Sequence, residues 1–145
     1  MIQLIENRIA ESIASKQLLL NDKELINSVH SIANKCIDTL KNGGKIIFCG
    51  NGGSAVDSMH LAAELSGRYY VDRPPLNAES MSADNAFITA VANDYGYEFI
   101  FSRLLKAKGK IGDILIGMST SGNSKNIVNA FVEAKNLGVT SIGWT

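Results

Sequence analysis

Two cysteines, two prolines and one tryptophan are spread over 145 residues, and neither sign of charge prevails. Cys36 and Cys49 fall on different expected elements and form no CxxC, so they read as buried thiols in a reducing compartment rather than as a disulfide framework. Lys+Arg and Asp+Glu balance at 14 each, which leaves no global field to draw nucleic acid or a membrane surface. No apolar run approaches the roughly 18 residues of a membrane span. Near the N-terminus, Glu6, Arg8 and Glu11 interrupt the stretch that a signal peptide would keep apolar. The expectation is a cytoplasmic protein without a membrane or nucleic-acid partner. A hydrophobic content of 46% is enough for one genuine core.

What is present is an alternating pattern. Ile5, Ile9 and Ile13 recur four apart and predict an amphipathic helix over 2–20. A second helix is predicted from a cap at Asp22 through the stripe Leu25, Val29, Ile32, Ala33, Cys36, Ile37 and Leu40, with Gly43 and Gly44 ending it. His30 lies beside that stripe and reads as a surface or core-edge residue. After residue 44 the rhythm changes. "KIIFCG" is a short apolar run expected of a strand buried on both faces, "GNGGS" a turn, and 54–66 a helix, with Ser54 and Asp57 in a capping pattern. "LNAESM" (76–81) is a weak strand; "SADNAFITAVAND" and "YEFIFSRLLKAK" are expected as one helix each. "DILIGM" (113–118) is a strand, "STSGNS" a small-polar turn, 125–137 a helix, and "VTSIGW" begins another strand. Two strand–turn–helix units thus echo each other. The expected class is α/β: a doubly wound parallel sheet over 45–145 preceded by a helical segment, 1–44, with the ligand site off the carboxyl ends of the strands. A doubly wound domain normally covers its last strand with a helix, so a C-terminal part is expected beyond Thr145.

Chemistry concentrates in three places. In "STSGNS", the hydroxyls of Ser119, Thr120, Ser121 and Ser124 precede a helix N-terminus, a combination suited to phosphate. The absence of GxxxxGK[ST] argues against nucleotide hydrolysis; a solvated, capped turn is the plainer alternative. "GNGGS" lacks the G-x-G-x-x-G spacing, and its close-approach glycines with Asn51 and Ser54 suit a polyhydroxylated ligand better than a flat ring. A tight strand-to-helix turn would need the glycines anyway. Along the next helix His60, Glu64 and Arg68 recur every four residues and so share one face. Imidazole and carboxylate at i and i+4 can share a divalent metal such as zinc, and Glu64 beside a sugar carbonyl could move a proton between adjacent carbons. A solvated face with weak ion pairing is the alternative.

Together "CGNGGSAVDSMHLAAELSGRY", "RPPLNAESMSADNAFITAVANDYGYEFIFSR" and "GDILIGMSTSGNSKNIVNAF" resemble the phosphoheptose isomerases of the sugar isomerase (SIS) domain superfamily, over nearly the whole chain. The resemblance implies a flavodoxin-like sandwich. It also implies conversion of sedoheptulose 7-phosphate to D-glycero-D-manno-heptose 7-phosphate through an enediol, for lipopolysaccharide or capsule heptose. It assigns substrate contacts to Asn51, Gly52, Gly53, Glu64, Asn93 and Asp94, and the phosphate to Ser119, Thr120, Ser121 and Ser124. His60 and Glu64 would be zinc ligands, with Glu64 also the catalytic base, in a homotetramer whose sites lie between subunits. A glutamine and a second histidine that complete the family's metal site belong to a last helix not found in these residues.

Two other readings stand beside it. Some SIS proteins similar to these isomerases are non-catalytic partners of the bacterial replication initiator, which would not need a His–Glu pair facing the cleft. A sugar-phosphate sensor module would adjoin a DNA-binding or kinase segment, and none is visible.

Overall fold

The N-terminal periodicity becomes two helices, α1 (Ile2–Asn21) and α2 (Lys23–Lys41), in the structure, a computed structural model that describes residues 1–145. Asp22 Oδ1 accepts from the Leu25 amide at 2.9 Å, the cap expected at the start of α2. The chain divides into two compact units, Met1–Ile37 and Asp38–Thr145. In the first, α1 buries no residue, and Ile5, Ile9 and Ile13 are each more than half exposed. The α2 stripe is likewise no core: Leu25, Val29 and Ile37 are exposed, and Cys36 is half-buried instead of buried. Helical periodicity reports that a face is apolar, not what covers it. His30 is exposed and hydrogen-bonds Asn34 at 3.2 Å.

The second unit is built on four parallel strands, β1 (Ile46–Gly50), β2 (Ala78–Ser80), β3 (Ile114–Met118) and β4 (Thr140–Trp144), in the order β2-β1-β3-β4. Register runs from Ile46 beside Ala78 and Ile114 to Gly50 beside Met118. Every residue of β1 and β3 is buried, which is why both read as unbroken apolar runs. Between the strands lie α3 (Gly53–Ser66), α4 (Asn85–Asp94), α5 (Ile100–Lys108) and α6 (Lys125–Leu137).

Two glycines show which helix covers which face. A Cβ on Gly50 would stand 2.5 Å from the Ser54 carbonyl, so α3 packs against the face of Ile46 and Phe48. A Cβ on Gly117 would stand 2.6 Å from Phe131 Cζ, so α6 packs on the other face. On that face Ile47, Cys49 and Leu115 join Phe101, Leu104 and Leu105 of α5 and Ile127, Ala130 and Ala134 of α6 in the main core. The sheet is doubly wound as expected. The strand order reverses between β1 and β3, and the crevice off their carboxyl ends is where such sheets bind ligands.

Three local expectations are corrected. The 97–108 segment is not one helix but a 3-10 turn, Tyr97–Phe99, followed by α5. Ser54 does not cap α3: the N-cap is Gly52, at φ +54°, so the helix begins one residue earlier and Ser54 lies inside its first turn. Arg68 is not on the helical stripe, because α3 ends at Ser66 and Gly67 turns the chain away. Arg73 closes that end, donating to the Glu64 and Leu65 carbonyls at 2.9 Å each.

Candidate functional site

A cavity of about 480 Å³ opens at the carboxyl ends of β1, β3 and β4. Ser54, Asp57 and His60 of α3 form one wall; Ser119 and Thr120, following β3, form another, with Trp144 of β4 beside them. The first wall is placed by β1 and by a serine relay. Ser82 Oγ donates to the Gly50 carbonyl at 2.9 Å and accepts from its amide at 3.2 Å, while Ser58 and Ser80 hydroxyls meet at 2.7 Å. The GNGGS turn is therefore held from both sides, by its own strand and by the exit of β2.

In the STSGNS turn the hydroxyls converge. Ser119 Oγ lies 3.3 Å from Ser121 Oγ and 3.0 Å from Ser124 Oγ. Ser124 is the N-cap residue of α6, yet its side chain bonds no helix amide. It faces Ser119 instead, which leaves hydroxyls and helix-start amides together at one spot. Ser119 is buried at the end of β3, whereas Thr120 and Ser121 are exposed.

On α3, His60 Nε2 and Glu64 Oε1 are 3.2 Å apart. Two donors on one tetrahedral zinc, at its usual bond lengths, stand about 3.4 Å apart, so this pair fits two coordination positions in both chemistry and spacing. No third His, Cys, Asp or Glu joins them in a group able to hold a metal ion. Glu64 is half-buried one turn beyond the cavity wall, and His60 links it to that wall.

Asn51, which the resemblance assigns to the substrate, is held by side chains from two other segments. Its side-chain amide donates to Asn126 Oδ1 at 2.9 Å, accepts from Asn126 Nδ2 at 2.8 Å, and accepts from the Tyr97 hydroxyl at 2.9 Å. Gly52 and Gly53 are exposed in the turn beside it. Asn93 and Asp94, at the end of α4, bond each other at 2.9 Å and do not line the cavity. Asn126, Tyr97 and Asp57 were not singled out for the site from sequence. Asp57 lies one turn before His60, a signal that spacing could have supplied; the Asn51–Asn126 pair spans 75 positions and had none.

Residues 11–145 match the SIS domain family. The phosphoheptose isomerase of Akkermansia muciniphila is 54% identical over 121 residues, 83% of this chain and 64% of that protein. That of Sulfurimonas denitrificans is 45% identical over 98% of this chain and 73% of its own length. The solved phosphoheptose isomerase of Francisella tularensis superposes with a TM-score of 0.93 at 37% identity, over 98% of this chain and 73% of that one. That of Neisseria gonorrhoeae gives 0.89 at 38% identity. The chain thus spans about two thirds to three quarters of the relatives it matches. Fold, turns and relatives agree: the chain belongs to the SIS domain family and, within it, to the phosphoheptose isomerases.

Proposed function

We propose that the protein isomerises sedoheptulose 7-phosphate to D-glycero-D-manno-heptose 7-phosphate. The observation that carries this is the cavity at the strand ends, lined on one side by Ser119, whose hydroxyl meets those of Ser121 and Ser124, and on the other by His60, the neighbour of Glu64. The serine turn and the start of α6 hold the phosphate, with Thr120 at its rim. Gly52 and Gly53 let the sugar approach the backbone, and Asn93 and Asp94 supply further substrate contacts. Glu64 removes the proton from the hydroxyl-bearing carbon beside the carbonyl while the carbonyl oxygen gains one. The resulting enediol collapses to the aldose when a proton is returned to the former carbonyl carbon and the hydroxyl on the deprotonated carbon gives up its own, becoming the new carbonyl.

His60 and Glu64 would hold zinc, which when bound supplies Lewis-acid polarisation of the sugar oxygens. Their 3.2 Å spacing keeps the two donor atoms adjacent for that role. The initiator-partner reading has no use for this pair, and the relatives named above are isomerases.

The N-terminal segment, residues 1–44, serves self-association, as a homotetramer. Its support is α1, whose Leu4, Ile5, Ile9 and Ile13 are all exposed on a helix that buries nothing. No helix is long and apolar enough to cross a membrane, and a phosphorylated sugar substrate fits a cytoplasmic enzyme. The direct test is incubation of the full-length, zinc-loaded protein with sedoheptulose 7-phosphate, followed by NMR. The aldose phosphate is expected to appear; a substrate left unchanged would contradict the reading.

A further inference from the structure

Three segments that the proposed reaction uses meet at one side chain. Asn51 belongs to the GNGGS turn, Asn126 lies in the first turn of α6 two residues after Ser124, and Tyr97 follows Asp94 by three residues. The two asparagine amides exchange a pair of hydrogen bonds, and the Tyr97 hydroxyl adds a third to Asn51. Asn126 is 3% exposed. A buried amide is costly unless paired, and asparagine is a mediocre helix former, so neither stability nor propensity favours it there without its partner. What the arrangement supplies is orientation: a reciprocal amide pair fixes the rotation of both side chains and the spacing of the two backbones that carry them.

We propose that Asn126 and Tyr97 are positioning residues that act through Asn51, keeping the serine turn and the GNGGS–α3 unit in register. A sugar gripped by its phosphate then presents its carbonyl end to Glu64. This rests on the isomerase reading above. The phosphate and the reacting carbons lie at opposite ends of a seven-carbon chain, and a misplacement of about 1 Å at the reacting end can cost on the order of 100-fold in rate. Binding of the phosphate alone needs only one of the two turns; turnover needs both.

The test uses the full-length zinc-loaded protein and the variants Asn126→Ala, Asn51→Ala, their double, and Tyr97→Phe. Calorimetry with inorganic phosphate gives affinity and the number of competent sites; kinetics with sedoheptulose 7-phosphate give kcat per competent site. Asn126→Ala is expected to keep phosphate affinity within about twofold while kcat per competent site falls about tenfold or more, through misplacement of the reacting end. The double should be no worse than the more severe single, because both remove one pair. Tyr97→Phe, which deletes one hydroxyl from an exposed side chain, should lower kcat about threefold at unchanged phosphate affinity. A merely structural role would reduce the number of competent sites and leave kcat per site alone. That result, additive singles, or an unaltered Tyr97→Phe overturns the proposal. An inactive wild type overturns the isomerase reading instead, and this proposal with it.

Discussion

The hydroxyls of Ser119 and Ser124, five residues apart in the chain, lie 3.0 Å from each other because a turn folds the end of β3 onto the start of α6. Neither is spent on capping the helix. Ser119→Ala and Ser124→Ala should each weaken inorganic phosphate binding about ten- to a hundredfold, the worth of one hydrogen bond to a charged group. Binding of the unphosphorylated heptose should hardly change. Calorimetry showing equal phosphate affinity in wild type and both variants would remove the serine turn from the phosphate site.

Gly117 bears on packing. Its Cβ, if present, would stand 2.6 Å from Phe131 Cζ and 2.8 Å from Ile127 Cγ2, so Gly117→Ala forces α6 away from β3. Overpacking of this kind costs about 1–3 kcal/mol. The variant should melt lower, and Gly117→Ala with Phe131→Leu should recover part of the loss. An unchanged melting temperature for Gly117→Ala would show that α6 yields freely.

Glu79 contributes to acid sensitivity. Burial alone would raise its carboxyl, but the hydrogen bond and charge of Lys45, at 2.6 Å, and the charge of Lys108, at 3.6 Å, outweigh it and leave the group below the usual carboxylate range. A depressed folded-state value means the stabilisation is present above the unfolded-state pKa and is lost as pH falls through the folded one. About a third of the side chain is exposed, which keeps the contribution to about 1 kcal/mol or less. Glu79→Gln should therefore lower stability at neutral pH and narrow its gap to wild type below about pH 4. Denaturation curves with the same gap at pH 7 and pH 3 would speak against it.

Cys49 is fully buried in β1, and burial pushes its thiol up to about 12. Thiolate is the reactive form, so Cys49 should resist a thiol reagent at pH 8 in the native protein and react only on denaturation. Rapid native labelling of Cys49, located by peptide mass, would mean that β1 opens readily.

How much of this was legible in the sequence depends on the range of the interaction. The strands β1 and β3 showed because residues buried on both faces leave an unbroken apolar run. Arg68 was misplaced because spacing of four carries no news of where a helix stops; Gly67 decided that. The cap was misassigned to Ser54 because a glycine at positive φ can start a helix without any side chain to announce it. Of the site, the serine turn and the His60–Glu64 pair are local in sequence and could be read. Asn51 could be singled out but not its partners, since Asn126 and Tyr97 reach it only after the sheet has formed.

Solvent deuterium exchange into sedoheptulose 7-phosphate reports whether Glu64 moves the proton. Glu64→Gln keeps the shape and removes the base, so in the full-length zinc-loaded enzyme exchange at the carbon beside the carbonyl should fall about 100-fold or more. His60→Ala should act mainly by metal loss and be partly restored by added zinc, whereas Glu64→Gln should not be. Exchange by Glu64→Gln at the wild-type rate would contradict the account.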